Sequence, residues 1–398
     1  MSKLSFLEKY LIPSIKGGKY DSDLVFVKWV DDEGLDVKLF ASSCVFITAV
    51  FKQNNNLVKI PFILKYQLLD SKVRDWLKLD EQFFNEVYTY ENILPLLTSG
   101  GVLSDVFPEY FYGYCSDRLE DNVVVLQDLR SDGFRMSAGL FLDYEHCAVA
   151  LKQLGRFHAL SYGAKINKRE ILCERIQNLK ECRFPKDVAL FNHYLYTKSA
   201  KRAVQPFLER GEYVDVIGRF IDRVERTQDF FFDLLRPEEP VSVLCHGDFC
   251  RNNVIFKYDE DNVPVDVKFF DIATCRYASP AIDLSFFFYL NTTYEMRLAH
   301  WDDLLEIYYE ALTKTLPDVT KPSFQDIQRE IQDKSVYGFA ISSFFLPVLL
   351  NETPVDTTEL AYLSPADRSE SIISFGGDNA TLLISKNFKD LVERGFLK

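Results

Sequence analysis

The sequence predicts an α+β fold in two lobes, a small antiparallel-sheet lobe followed by a larger, mainly helical lobe that carries a polar loop and a β-hairpin. Three observations predict it. Residues 24–66 hold successive β-rich runs separated by polar turns. From Tyr144 onward apolar residues recur at helical spacing, as in Val149, Leu151, Leu154, Phe157 and Leu160. The stretch Val243–Leu284 then interrupts the helices. It runs apolar, breaks at His246-Gly247-Asp248, and continues as two short apolar runs around the turn Asp259–Pro264. With 398 residues the chain is long enough for two lobes, placed at 1–129 and 130–398.

Residues 1–20 read as a short amphipathic helix ended by Pro13 and Gly17-Gly18. Strands are expected over Leu24–Val30, Val37–Ala41, Val45–Lys52 and Leu57–Tyr66, with turns at Asp31–Gly34 and Gln53–Asn56. The last of these strands carries Lys65 between Leu64 and Tyr66. Asp80–Leu97 has a helical apolar period through Phe83, Phe84, Val87, Tyr88 and Leu94, and Glu86 falls on it. Strands at Tyr110–Cys115 and Val123–Leu126 follow, and the second runs into Gln127-Asp128-Leu129. The polar Arg130–Gly139 segment reads as a linker. Asp143 is placed to cap a helix over Tyr144–Tyr162, on which His158 reads as a hydrogen-bonded core histidine. Lys165–Arg236 and residues 282–350 read as helical, Phe339–Leu350 as a buried helix, and residues 366–398 as one or two closing helices.

The chemistry sits in the interrupting stretch. Asn253 follows five residues after Asp248, and the second hairpin strand ends at Asp271. A lone Asp near a turn often does no more than bond its own backbone. Asp-x4-Asn followed by an Asp closing a strand is different, because it is the set that phosphoryl transfer from ATP requires. One carboxylate accepts the proton of the acceptor hydroxyl, while an amide oxygen and a second carboxylate hold Mg²⁺ against the phosphates. On this reading Lys65, paired with Glu86, orients the α- and β-phosphates, and backbone groups at Gln127, Asp128 and Leu129 meet the adenine edge. Eleven residues lie between Asp271 and Asp283, too few for a peptide-docking activation segment. A small-molecule alcohol is therefore the expected acceptor, with its pocket drawn from residues 165–236 and 286–350.

Composition removes other classes. The net charge is −13 and no basic run occurs, which excludes nucleic-acid partners. Eight cysteines form no C-x-x-C pair, and two of them, Cys245 and Cys250, flank the loop; reduced thiols and a cytoplasmic location are expected. The N-terminus shows no long apolar signal core, and no apolar stretch is long enough to span a bilayer, so no membrane association is expected. Five histidines without zinc-ligand spacing argue against a metal hydrolase built on His246 and Asp248.

The motifs HGDFCRNNVIF, VKFFDIA and SPAIDLSFF resemble the ecdysteroid kinase-like family, which stands beside choline kinases and aminoglycoside phosphotransferases in the protein-kinase-like superfamily. Earlier pieces match in the same order: ASSCVFITAVF as the phosphate loop, IPFILK, FFNEVYTYENILPLL, VVVLQDL and LGRFHALSY, so the resemblance covers residues 20–350. It implies a protein-kinase-like fold using ATP and Mg²⁺, with Asp248 as the base, Asn253 and Asp271 on the metal, and Lys65 with Glu86 on the phosphates. It further implies that His246 holds the catalytic loop and that Asp283 braces it. The chain departs from the family pattern in having no glycine in Phe40–Cys44, where Ser42 and Ser43 stand in its place. Gln127 replaces a usual Glu, and Asp-Ile-Ala replaces Asp-Phe-Gln. The acceptor implied is a steroid such as an ecdysteroid, or a xenobiotic alcohol. The alternatives are a choline-type kinase and a pseudokinase that binds ligand without turnover.

Overall fold

The computed structural model describes residues 3–17, 23–31, 37–38, 41–97 and 103–397. Gly18, most of the expected turn at Asp31–Gly34, and Leu39 and Phe40 of the expected second strand lie outside the described residues.

Strands β1 (Val25–Asp31), β2 (Val37–Lys38), β3 (Ser42–Gln53), β4 (Asn56–Gln67), β5 (Tyr110–Tyr114) and β6 (Val123–Gln127) form one antiparallel sheet in the order β1-β3-β4-β6-β5, with β2 also on β3. The β3–β4 hairpin pairs without slip from Ser42↔Gln67 to Gln53↔Asn56. It turns at Asn54 and Asn55, both at positive φ, the conformation that a two-residue hairpin favours and that Asn tolerates. Apolar residues of one sheet face, Ala49, Phe51, Phe62, Leu64 and Val125, pack with Leu7 and Leu11 of the helix Lys3–Gly17. Lys65 sits on the strand between β3 and β6, opposite Cys44 on one side and Val124 on the other. Its position is thereby fixed from both edges.

The single helix expected over Asp80–Leu97 is more elaborate. A helix Ser71–Leu77, capped by Asp70, precedes it, and Lys78 joins the two in a left-handed conformation at φ 55°. The helix Leu79–Tyr88 widens into a π-helical turn at Thr89–Ile93 before Leu94–Leu97. The widened turn shifts the phase so that Glu86 and Val87 before it, Tyr90 and Ile93 within it, and Leu94 and Leu97 after it are all buried.

The expected linker Arg130–Gly139 has structure of its own. Asp128 caps a 3₁₀ turn at Leu129–Asp132, and β7 (Phe134–Arg135) joins the edge of the hairpin formed by β9 (Val254–Tyr258) and β10 (Pro264–Phe269), giving the order β10-β9-β7. A two-residue strand carries no periodicity to read. A third small sheet pairs β8 (Val243–Cys245) with β11 (Arg276–Ala278).

Helices supply the rest. Tyr144–Gln177 begins where Asp143 accepts from the His146 N–H, and runs past Tyr162 with a kink at Lys168. Its Gly155 lets the helix lie against the backbone of Tyr308 in the helix Tyr294–Lys314. The helix Ala281–Asn291 is buried at every residue, which explains its apolar sequence on all sides. Val336–Leu349 packs against it, and two helices, Pro365–Ser374 and Gly377–Glu393, close the chain. Among the described residues no helix is long and apolar enough to cross a membrane.

Candidate active site

The polar loop after β8 is anchored from beneath by one buried carboxylate. Asp283, in the first turn of Ala281–Asn291, accepts from the backbone N–H of His246 at 2.6 Å and of Gly247 at 2.9 Å. It also lies 3.2 Å from His158 Nε2, whose other ring nitrogen is 2.9 Å from the Tyr308 hydroxyl. His158 is thus the core histidine the sequence indicated. Burial alone would raise the Asp283 pKa; bonding to His158 and Gly247 overrides it and holds the carboxyl below the usual carboxylate range. The Cys245 thiol lies near His158 and Asp283 but points to the carbonyls of Ala278 and Ser279, and burial pushes its pKa up. These groups form a structural knot, because each of them is already bonded within the protein.

Gly247 stands at φ +83°, and a Cβ there would overlap the Thr274 carbonyl. Only glycine meets both demands. His246 turns its ring outward from the knot and bonds the Phe270 carbonyl at 2.9 Å, tying the loop to the end of β10. The next residue, Asp271, has φ 61°, a left-handed conformation uncommon for a residue with a side chain. It re-aims the chain so that the carboxylate leaves the hairpin and meets the sheet.

There Lys65 Nζ lies 2.7 Å from Glu86 and 2.8 Å from Asp271. Sheet, helix and hairpin, residues 206 positions apart in sequence included, converge on one ammonium. Burial works against the charge on Lys65, but Asp271 and Glu86 together raise its pKa above the ordinary lysine value. The Asp271 carboxyl is held below its usual range by Lys65, against the pull of burial. Glu86, 1% exposed, is pushed up by burial, with Lys65 acting in the opposite sense. Its second oxygen, Oε1, is buried without a partner.

Asp248 and Asn253 are also brought together. The Asn253 amide donates to Asp248 Oδ2 at 2.8 Å and to the Asp248 carbonyl at 2.9 Å. The other Asp248 oxygen accepts from Arg183 Nη2 at 2.8 Å. Sequence reasoning missed Arg183. It sits in an irregular segment between Gln177 and Lys186, among charged residues without a period, and the Arg-Phe-Pro break between helices was its one visible mark.

Two expectations need correction. Ser42 and Ser43 are strand residues rather than loop residues: Ser42 pairs with Gln67, and Ser43 with both Tyr66 and Lys38. Ser42 is buried beside Lys65 and Asp271, so it lines the cleft, but not as part of a free phosphate loop; Phe40 of that loop lies outside the described residues. At Gln127-Asp128-Leu129 two of the backbone donors are already engaged. The Gln127 N–H bonds the Glu109 carbonyl at 2.9 Å, and the Asp128 N–H bonds the Pro61 carbonyl at 3.2 Å. The Asp128 carboxylate holds Arg130 at 2.6 Å, Leu129 is buried, and Arg130 lies 3.9 Å from the centroid of Phe46. Beside them an open cleft of about 440 Å³ is lined by Thr48, Lys59, Pro61, Asp128, Arg130 and Ser131.

The ecdysteroid kinase-like family matches residues 37–321. The chain belongs to that family. None of the curated proteins matches it. Among solved structures it is similar to macrolide 2'-phosphotransferase MphH from Brachybacterium faecium, at 13% identity and TM-score 0.40, covering 92% of this chain and 97% of that one. It is similar to the amicoumacin kinase hAmiN in complex with AMP-PNP, Ca²⁺ and Ami, at 13% identity and TM-score 0.35, covering 92% and 89%. A microcompartment-associated aminopropanol kinase gives 12% identity and TM-score 0.38 over 97% and 98%.

Proposed function

We propose that the chain is an ATP- and Mg²⁺-dependent phosphotransferase acting on the hydroxyl of a small molecule. The observation that carries this reading is the convergence of Lys65 on Glu86 and Asp271, beside an Asp248–Asn253 pair. In this reading Lys65 orients the phosphates, and Glu86 keeps its ammonium in place. The acceptor oxygen attacks the γ-phosphorus, the bond to the β–γ bridging oxygen breaks, the hydroxyl proton passes to Asp248, and ADP leaves.

The residues present fit a magnesium ion. The Asn253 amide nitrogen is spent on Asp248, which leaves its carbonyl oxygen to offer. Asp271 gives one oxygen to Lys65 and is about a third exposed. Two hard oxygen donors suit Mg²⁺, which when bound would neutralise charge on the phosphates.

Family membership favours a steroid hydroxyl or a xenobiotic alcohol as acceptor. What supports drawing the pocket from residues 165–236 and 286–350 is that they touch near Arg183, which holds Asp248: Phe184, Tyr196 and Phe231 pack with Tyr337 and Phe344. A pseudokinase is favoured by one feature, the strand at Ser42–Cys44 where a phosphate loop was expected.

Thermal unfolding with ATP, with and without Mg²⁺, tests the proposal. Ligand at about 100 times its dissociation constant stabilises by roughly 2.7 kcal/mol. A magnesium-dependent rise in Tm that Asp271→Ala removes is the expected result; no rise in either protein favours the pseudokinase.

A further inference from the structure

Around Asp248 the charges are paired but the hydrogen bonds are incomplete. Arg183 Nη2 is on Asp248, yet its Nη1 is buried with no partner, in a side chain 13% exposed. Arg276, on β11, gives Nη1 and Nη2 to Glu181 at 3.2 and 3.3 Å, while its Nε is buried and unpartnered. The hydroxyl of Tyr337 is a third such group, and it lies within electrostatic reach of both guanidiniums. Burial raises the Tyr337 pKa, so its proton stays available for donation. Buried polar groups are nearly always bonded. Three unmet groups, one on the guanidinium that holds Asp248 and two on the Arg276 and Tyr337 side chains near that guanidinium, are therefore a demand for oxygen atoms that the chain itself does not supply.

We propose that Arg183 and Arg276 read an oxygen of the acceptor next to the hydroxyl that reacts at Asp248, so that the site takes neutral or anionic oxygen-bearing acceptors and turns away quaternary ammonium alcohols. This rests on the phosphotransfer reading above. A guanidinium has five N–H donors in a fixed fork, so Nη2 can stay on Asp248 while Nη1 turns to the acceptor. A quaternary ammonium needs a free carboxylate or a free aromatic face. Both nearby carboxylates already hold a guanidinium, Asp248 that of Arg183 and Glu181 that of Arg276. Two of the nearby rings do so as well: Arg183 lies 5.9 Å from the centroid of Phe286, and Arg276 lies 5.8 Å from that of Phe184. To gain a carboxylate partner at this point a third cation has to displace a guanidinium, which leaves like charges side by side, and such juxtaposition is heavily penalised. A role confined to seating the segment 178–188 would leave the choice of acceptor untouched.

The test compares choline with its neutral isostere, in which carbon replaces the nitrogen. Binding of each to the full chain is followed by ligand-observed NMR in the presence of Mg·ADP. Wild type is expected to prefer the isostere by about ten-fold or more. Arg183→Met and Arg276→Met are expected to shrink or invert that preference, and Arg183→Lys to keep it. Choline bound as well as the isostere, equal silence from both, or an unchanged preference in the folded Met variants overturns the proposal. The wild-type comparison decides alone if a variant does not fold. A missing Mg·ATP shift in wild type would instead overturn the phosphotransfer reading.

Discussion

Asp248 has two faces, and they are finished differently. Beneath it the loop is closed: Asp283 satisfies two backbone N–H groups and a histidine, and His246 ties the loop to Phe270. Above it Arg183 Nη1, Arg276 Nε and the Tyr337 hydroxyl are buried without partners. Unpaired buried groups cost free energy, so the upper face is the less stable arrangement for the chain alone. The lower face serves folding, and the upper face gains only when something binds. Changes to the upper face should therefore alter chemistry more than stability, and changes to the lower face the reverse.

The largest expected effect tests the upper face. Asp248→Asn removes the base but keeps the size, and its one oxygen can still accept from either Arg183 or Asn253, so phosphoryl transfer should fall by roughly 10²–10⁴ while the Mg·ATP shift in Tm persists. A parallel loss of nucleotide binding would show that the upper face is structural after all. Next comes Lys65, which lies outside both faces and joins the sheet to the hairpin. Lys65→Met strands two carboxylates and should destabilise by about 3–5 kcal/mol. Adding Glu86→Gln should recover a large part of that, since the buried charge is then gone. A double-mutant cycle in denaturant measures it, and simple additivity would mean that Lys65 and Glu86 are not coupled.

The same division explains what could be read from the sequence. Asp248 and the lower face are local: His246, Gly247, Asp248, Asn253 and Asp271 lie within one stretch, and Asp283 follows soon after. Their spacing alone carries the chemistry. Lys65 and Glu86 are distant, but each sits on a strong period, a strand between apolar neighbours and a helix with an apolar face. Arg183 had neither advantage. It approaches Asp248 from an irregular segment, and nothing in Glu181-Cys182-Arg183 announces a fold that carries it 65 positions onward. The short strand β7 and the strand at Ser42–Cys44 were missed for a related reason. Pairing partners fix them, and pairing between distant segments leaves little local pattern.

Gly247→Ala strikes the lower face with a single methyl. A left-handed φ alone costs about 1–3 kcal/mol for a residue with a side chain, and the overlap with the Thr274 carbonyl adds to it. A clearly lowered Tm is expected, with or without nucleotide. An unchanged Tm would mean that the loop can shift beneath Asp248, and the contrast between the two faces would weaken.

The smallest effect is the pH dependence of the brace. Asp283 titrates below the usual carboxylate range in the folded chain, because His158 and the Gly247 N–H outweigh the burial that would raise it. A carboxyl with a lowered folded pKa contributes stability that is fully present above its unfolded pKa, and loses it as pH falls through the folded value. Asp283→Asn keeps the shape but has no proton to gain there. The Tm gap between wild type and Asp283→Asn should therefore be widest near neutrality and narrow in acid below about pH 4. Other carboxylates titrate in both proteins and cancel in the difference. A gap that stayed constant from neutral pH into that range would mean that the knot is held by packing of the Ala281–Asn291 helix rather than by the charge on Asp283. The lower face would then owe its rigidity to the same apolar burial as the rest of the core.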